Sequence, residues 1–260
     1  MPPIYSPRGK AIEYSPYALN IYMGCDHRCS YCYAPQATFR PNYFDAEPKP
    51  RDSFLRDLEK QLGREKIDQQ VLLSFIGDPY GSANEKYGLT RKVLEILLAH
   101  RVPVAILTKG GEHCLKDLDI FKKFTNHIKV GASLTFFNPE DSLQFEPGAA
   151  QPYRRLATLK ELHSQGIQTW ASLEPVIYPN QVLELIAESC RYVDHFKIGK
   201  INHNAAYEKA QDWGRFLEDA VRLLRRTGNP FYIKESLQGY NKGVELAPEE
   251  IDQDYLNVTK

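Results

Sequence analysis

The feature that most constrains the fold is a regular alternation of short apolar runs with stretches of helical period. The run at 71–76, VLLSFI, is almost continuously apolar, as expected for a strand covered on both faces. Seven runs predict strands, at 17–22, 71–76, 102–107, 127–135, 167–173, 195–198 and 231–233. Helical spacing predicts helices at 53–62, 89–100, 115–124, 153–165, 181–190 and 206–227.

This alternation predicts an α/β fold. Strands that alternate with helices form parallel sheets through right-handed crossovers. Six or seven consecutive units favour a full or partial (βα)6–7 barrel of the TIM type, with its active site at the C-terminal strand ends. No GxGxxG loop follows the first strand, which argues against a dinucleotide-binding fold. We expect an irregular lead-in at 1–16, the barrel at 17–235, and a tail at 236–260 that packs on the barrel.

Charge and composition limit the classes of function. The 260 residues carry 33 basic and 33 acidic side chains, so binding nucleic acid through bulk charge is not expected, although a local basic groove is compatible. No apolar run approaches the roughly 18 residues of a membrane span, and the N-terminus lacks the apolar core of a signal peptide. We therefore expect a cytoplasmic protein with reduced thiols, no membrane partner, and a monomeric or weakly dimeric state.

The segment CDHRCSYC at 25–32 is the most specific motif of the chain. Clustered thiols in a reducing compartment indicate metal or redox chemistry. Three cysteines leave one iron of an Fe–S cluster free, and they equally leave a catalytic zinc with an open position. A structural zinc would need a fourth ligand such as His27, because Cys114 and Cys190 are not spaced as a second pair. A non-catalytic Fe–S or zinc protein with a structural or sensing role is therefore the alternative.

The spacing CxxxCxxC, with Tyr31 before the last cysteine, resembles the signature of the radical S-adenosylmethionine (SAM) superfamily. Three further motifs resemble the spore photoproduct lyase-like, DNA repair photolyase-type branch. They follow successive strands, and they are Gly77-Asp78-Pro79-Tyr80, Thr108-Lys109 and Ser133-Leu134-Thr135. The resemblance covers roughly residues 15–235.

This resemblance implies an enzyme and its cofactors. Cys25, Cys29 and Cys32 would ligate three irons of a [4Fe–4S] cluster, and SAM would chelate the fourth. Reductive cleavage of SAM would give methionine and a 5′-deoxyadenosyl radical that abstracts hydrogen from a substrate. The electron would come from a donor such as flavodoxin or ferredoxin. Cofactors of this kind supply the radical, while the protein positions the reactants and excludes water.

The resemblance also suggests which residues bind SAM. Tyr31 would lie against the adenine. Gly77 and Asp78 would contact the methionine amino group, and Lys109 would pair with the methionine carboxylate as a compact positive charge. Ser133 would hydrogen-bond the ribose.

Asp78 and three other residues are candidates for a catalytic role. Glu174 follows an apolar strand, where a carboxylate contacts ribose or substrate, or pairs with a lysine of a neighbouring strand end (Lys197, Lys200 or Lys234). Tyr80 is a potential hydrogen donor, and so is Cys114, which begins a helix where its thiol pKa would be lowered. Cys190 is expected in the core.

One departure from the resembling branch bears on the substrate. Spore photoproduct lyases carry a hydrogen-donating cysteine just before the aspartate of the second-strand motif, and here that stretch is Phe75-Ile76-Gly77. We therefore predict that this chain does not repair thymine dimers by the lyase route. A nucleic acid or nucleobase is the first candidate substrate, and a peptide or small metabolite is the alternative.

Overall fold

The computed structural model describes residues 2–202, 204–253 and 255. Within them the chain forms ten strands: β1 (Ile4–Tyr5), β2 (Tyr17–Leu19), β3 (Tyr22–Met23), β4 (Lys49–Pro50), β5 (Val71–Leu73), β6 (Val104–Thr108), β7 (Ile128–Ser133), β8 (Gln168–Val176), β9 (His195–Lys200) and β10 (Phe231–Ile233). Eight of them make one sheet in the order β1-β2-β5-β6-β7-β8-β9-β10, and β3 and β4 pair separately. The large sheet is parallel from β2 to β10, with β1 antiparallel at its edge. It curves as a partial TIM-type barrel and does not close.

Helices alternate with these strands along the chain. The described residues form α1 (Ala34–Ala37), α2 (Phe54–Leu62), α3 (Ser82–Tyr87), α4 (Leu89–Ala99), α5 (Leu118–Lys123), α6 (Pro139–Phe145), α7 (Pro152–Ser164), α8 (Pro179–Ser189), α9 (Ala205–Ala210), α10 (Trp213–Thr227), α11 (Glu235–Gln238) and α12 (Pro248–Ile251). One buried apolar cluster joins β5 and β6 to α2 and α4, and another joins β8 and β9 to α8 and α10. No helix in the described part of the chain is long and apolar enough to cross a membrane.

The inner face of the sheet is filled around Trp170. Its indole Nε1 donates a hydrogen bond to the carbonyl of Ile106 at 3.0 Å, and its ring packs with Ala18, Leu72 and Ala105. A Cβ on Gly131 would lie 2.5 Å from the indole, so the neighbouring strand needs glycine there. The tryptophan thus helps to fill the barrel interior with packed side chains, as is usual for parallel barrels.

The predicted parallel α/β fold is confirmed, and each of the seven predicted strands has a counterpart in the large sheet. The lead-in expected to be irregular instead contains β1 and a 3-10 helix at Gly9–Glu13. The helix predicted at 206–227 is divided into α9 and α10, because the Asp212 side chain accepts the Arg215 N–H and begins a new helix there. Cys190, expected in the core, is only partly buried where α8 ends.

Candidate active site

A cavity of about 680 Å³ opens at the C-terminal ends of the parallel strands. All three motif cysteines line it, together with side chains that follow β5, β6, β7 and β8. Of the residues predicted to bind SAM, it includes Tyr31, Gly77, Asp78, Lys109, Ser133 and Glu174. The size is in the range of small-molecule sites. The fold therefore brings the cysteines and the predicted SAM-binding residues to one place.

The cysteine loop offers a donor set that fits an iron–sulfur cluster. Cys29 is buried, and Cys25 and Cys32 are partly buried, all three facing the same cavity. Burial raises the pKa of Cys29 to about 11 and also raises the pKa values of the other two thiols. A bound cation reverses this effect, since coordination deprotonates a thiol. Three thiols with raised pKa values that face one cavity are therefore suited to a metal centre rather than to free thiolate chemistry.

His27, inside the same loop, is committed to protein partners. Its Nδ1 lies 2.9 Å from the carbonyl oxygen of Gly148, and its Nε2 lies 2.9 Å from the Asp78 carboxylate. Both partners accept hydrogen bonds, so both ring nitrogens donate and the ring is an imidazolium. Burial alone would lower the pKa of His27, but the hydrogen bond with Asp78 raises it. Although Cys25, Asp26 and His27 place potential ligand atoms within 4.8 Å of one another, His27 has no lone pair left for zinc.

Asp78 is also satisfied by the protein. Its carboxylate accepts the hydroxyl of Thr108 at 2.6 Å and the backbone N–H groups of Lys109 and Tyr80 at 2.7 and 2.8 Å, besides the bond from His27. Burial opposes ionisation, but His27 and these donors lower the pKa of Asp78 to about 2. Through these bonds Asp78 ties the cysteine loop to β5 and β6, and its expected contact with the methionine amino group stays a prediction.

Lys109 and Tyr31 lie over a buried ion pair. Arg155 Nη2 is 2.5 Å from Glu146 Oε2, and both side chains are almost completely buried. The Tyr31 hydroxyl donates to the same carboxylate, and the Lys109 ammonium lies 5.6 Å from the centre of the Tyr31 ring. Lys109 Nζ is 3.8 Å from Glu146 Oε1, which is too long for a hydrogen bond, so the ammonium can still donate to a ligand.

Two further predicted residues form the cavity wall near the cysteines. Ser133 ends β7, and its carbonyl accepts a hydrogen bond from Arg155 at 2.8 Å. Gly77 has φ +81°, and a Cβ there would lie 2.9 Å from the carbonyl oxygen of Gly24. The cysteine loop therefore packs directly on the backbone that follows β5.

Glu174 lines the same cavity from β8. Lys234 Nζ is 2.6 Å from its Oε2, and the Tyr14 hydroxyl donates to the same oxygen at 2.5 Å. Lys234 is thus the partner among the three lysines that the sequence offered. Lys197 instead donates to the carbonyl of Glu13 at 2.6 Å, and Lys200 pairs with Glu208 at 2.8 Å.

Tyr80 and Cys114, the two predicted hydrogen donors, are not among the residues that line the cavity. The Tyr80 hydroxyl donates to Asp117 at 3.0 Å and is buried against Phe121. Cys114 is fully buried, and its thiol donates to the carbonyl of Gly111. Burial raises the pKa of Cys114 to about 12, in contrast to the lowered value expected at a helix start.

Sequence reasoning missed several side chains of this site. Arg155 is buried in it, although a charged residue on a helix is by default solvated. Glu146 follows α6, a helix whose start is signalled by Asn138, since this side chain accepts the N–H groups of Glu140 and Asp141. Tyr14 gave no local signal, because only the fold brings the lead-in to β8.

Comparison with known proteins identifies the family. The model of the radical SAM superfamily matches residues 19–193, more than half of the chain. The chain therefore belongs to the radical SAM superfamily, and it is an enzyme. The uncharacterized protein MJ0683 of Methanocaldococcus jannaschii is 30% identical over 195 residues, which cover 74% of this chain and 73% of that protein. Rv2578c of Mycobacterium tuberculosis is 29% identical over 62% of this chain, and the match spans about half of that protein, 49%.

Solved structures with the same fold include a spore photoproduct lyase mutant with bound AdoMet and dinucleoside spore photoproduct. It has a TM-score of 0.67 and 17% identity, over 89% of this chain and 78% of that chain. SuiB of Streptococcus suis bound to S-adenosylmethionine has a TM-score of 0.65 and 16% identity, over 88% of this chain but only 53% of that chain. At such low identity these similarities establish the partial barrel and not the substrate.

Proposed function

We propose that Cys25, Cys29 and Cys32 hold a [4Fe–4S] cluster, that SAM binds beside it, and that the enzyme abstracts hydrogen from a third molecule in the same cavity. The observation that carries this proposal is the common cavity. The three motif thiols line it together with Lys109, Ser133 and Glu174, at the strand ends where parallel barrels perform catalysis.

The chain's own residues would bind and orient SAM. The ammonium of Lys109 offers donors to a carboxylate, and Tyr31 offers a ring that is held in place by its hydroxyl. Ser133 lines the same cavity and would hydrogen-bond a ribose, and Gly77, which also lines it, would contact the methionine amino group through its backbone. When bound, the cluster, reduced by an external donor, and SAM would supply the radical chemistry, whereas the apolar part of the cavity wall would limit the access of water.

Glu174 offers a carboxylate to a ligand in the same cavity. Because Lys234 and Tyr14 hold its carboxylate, it would accept a hydrogen bond from a ribose or substrate hydroxyl in a fixed direction. As radical SAM enzymes need a reductant, we further propose a flavodoxin or ferredoxin as electron donor.

For the substrate, we propose a nucleic acid or a nucleobase. Exposed Arg8 and Lys10 line the mouth of the cavity and are suited to phosphate contacts. One structural neighbour binds a dinucleoside photoproduct, whereas SuiB has been solved bound to its precursor peptide SuiA. A peptide or small metabolite is therefore the competing class.

Repair of the spore photoproduct by the lyase route is not what we propose. Phe75, Ile76 and Gly77 line the cavity where that route needs a thiol, and none of them carries one. Among the described residues, Cys114 and Cys190 are the remaining thiols, and neither lines the cavity. Multiple-turnover conversion of an oligonucleotide spore photoproduct to paired thymines would contradict this conclusion.

The central experiment is anaerobic purification followed by reduction with dithionite and addition of SAM. We expect a brown protein with the iron and sulfide content of one [4Fe–4S] cluster, and 5′-deoxyadenosine detected by mass spectrometry. Cys25→Ala, Cys29→Ala and Cys32→Ala should each lose the cluster, whereas Cys190→Ala, a thiol away from the cavity, should keep it. A colourless wild-type protein that binds one zinc would instead support the non-catalytic alternative.

The substrate class is tested separately with the loaded enzyme. Single-stranded oligonucleotides should stimulate formation of 5′-deoxyadenosine above the uncoupled rate, and Arg8→Ala/Lys10→Ala should weaken their binding and its dependence on salt. Stimulation by peptides alone would favour the competing class.

A further inference from the structure

The imidazole of His27 connects the cysteine loop to two other parts of the chain. On one side, its Nδ1 donates to the Gly148 carbonyl at 2.9 Å, and the Gly148 N–H returns a hydrogen bond to the His27 carbonyl at 3.0 Å. On the other side, its Nε2 donates to Asp78 at 2.9 Å. His27, the middle one of the three residues between the first two motif cysteines, is therefore held from both sides.

The packing at Gly148 leaves this loop little freedom. A Cβ on Gly148 would lie 2.2 Å from the Asp26 carbonyl oxygen and 2.9 Å from the His27 Cα. Backbone thus touches backbone, and the Ser30 N–H also donates to the carbonyl of Phe145 at 2.9 Å. With the His27 side chain hydrogen-bonded in this way, the cysteine loop is held in one position relative to the segment that follows α6.

Asp78 extends the connection to the residue we propose as the anchor of the SAM carboxylate. The oxygen that accepts the His27 bond, Oδ2, also accepts the backbone N–H of Lys109 at 2.7 Å. Oδ1 is held by the Thr108 hydroxyl at 2.6 Å. A single carboxylate oxygen therefore joins the cysteine loop to the backbone of Lys109.

We infer that His27 and Asp78 are positioning residues that fix the cysteine loop in register with Lys109, so that the cluster and the SAM carboxylate are held at a set separation. The inference rests on the proposed function, because it assumes a cluster on the loop and SAM on Lys109. His27 touches neither group and acts through Asp78. Partners outside the ligand shell commonly change metal affinity or activity by about 10–100-fold, since they orient the ligands.

The test compares three variants of His27. His27→Ala removes both bonds, His27→Gln keeps an amide donor near the Nε2 position, and His27→Asn keeps one near the Nδ1 position. We expect His27→Ala to release iron to a chelator about 10–100-fold faster than wild type and to weaken SAM binding in calorimetry by a similar factor. His27→Gln should restore SAM affinity better than His27→Asn, because only Gln reaches Asp78.

A matched pair elsewhere in the chain provides the control. His163 Nδ1 lies 3.3 Å from Asp194 Oδ1 outside the cavity, so His163→Ala removes a histidine–aspartate contact without touching the loop. It should keep wild-type iron retention and SAM affinity. The melting temperature of each metal-free variant shows whether folding is affected, and Asp78→Asn replaces His27→Ala if the latter does not fold.

The outcomes separate this inference from the proposed function. If wild type neither holds a cluster nor binds SAM, the proposed function fails. If wild type does both, but His27→Ala and Asp78→Asn match His163→Ala in chelator release and SAM affinity, the positioning inference is overturned. Loss of iron retention with equal SAM affinity in Gln and Asn variants would also overturn the predicted coupling through Asp78.

Discussion

Individual residues at this site are constrained by backbone proximity as much as by chemistry. Gly77 and Gly166 both adopt positive φ, at +81° and +77°, but their surroundings differ. A Cβ on Gly77 would meet the carbonyl oxygens of Gly24 and Tyr22 at 2.9 and 3.1 Å, whereas nothing lies within 4 Å of a Cβ on Gly166. Alanine substitutions at the two positions therefore distinguish the free-energy cost of a positive φ from the cost of the added steric contact.

We predict that Gly77→Ala lowers the free energy of unfolding by about 2–5 kcal/mol, from backbone strain and overpacking together. Gly166→Ala introduces the backbone strain without the steric contact, and it should lower the free energy of unfolding by about 1–2 kcal/mol. Urea denaturation of the metal-free proteins measures both values. Equal losses in the two variants would show that the cysteine loop yields readily to an added methyl group.

The Glu146–Arg155 pair gives a second prediction at this scale. Arg155→Met leaves a buried carboxylate without its main counter-charge and should cost about 3–5 kcal/mol of unfolding free energy. Arg154→Met, one residue earlier, removes an exposed pair with Glu112 and should cost no more than about 1 kcal/mol. Denaturant titration of the two variants checks the difference. A similar small effect for both would mean that Glu146 is solvated or protonated in the folded protein.

At the scale of elements, the lead-in completes the side of the barrel that the open sheet leaves uncovered. Glu13 ends the 3-10 helix, and its Oε1 accepts the Tyr232 hydroxyl at 3.0 Å and the Glu235 N–H at 2.9 Å. Its Oε2 lies 3.4 Å from Lys234 Nζ. The N-terminal segment is thereby attached to β10, at the far edge of the sheet from β1.

We predict that Glu13→Gln lowers the free energy of unfolding by about 1–3 kcal/mol, because an amide would replace the carboxylate beside a buried ammonium. The same variant should become more sensitive to proteolysis within residues 2–13. Glu59→Gln, on the exposed face of α2, should stay within about 0.5 kcal/mol of wild type. The bridging role is refuted if the two substitutions behave alike in both measurements.

For the molecule as a whole, the core does not depend on the proposed metal centre. The two large apolar clusters lie between the sheet and its helices, and the cysteine loop is above the strand ends. A chain of this length buries roughly 73% of its unfolded surface without help from a metal.

We therefore predict that the metal-free protein unfolds in one cooperative transition. Loading the cluster should raise the melting temperature, since a group that binds only the folded state stabilises it. The triple variant Cys25→Ala/Cys29→Ala/Cys32→Ala should melt like metal-free wild type, with or without iron and sulfide. A metal-free chain without near-ultraviolet circular dichroism or a cooperative transition would contradict this prediction.

The sequence by itself determined the parallel α/β fold and the cysteine motif, because both are local. A strand buried on both faces needs an apolar run, and a short loop needs its ligands close together along the chain. The order of the strands then placed Lys109 and Ser133 beside the cysteines without further information, since parallel strands end at the same edge.

The tertiary structure alone decided which polar groups are open to a ligand. Asp78 had the position of a SAM contact, yet His27, Thr108 and two backbone N–H groups occupy its carboxylate. Arg155 had the helical position of a solvated charge, yet it neutralises Glu146 in the interior. Their partners are up to 51 residues away, and a hydrogen bond depends on distance in space rather than along the chain. For this reason, only the folded structure shows whether the hydrogen-bonding capacity of a buried polar group is already used by the protein.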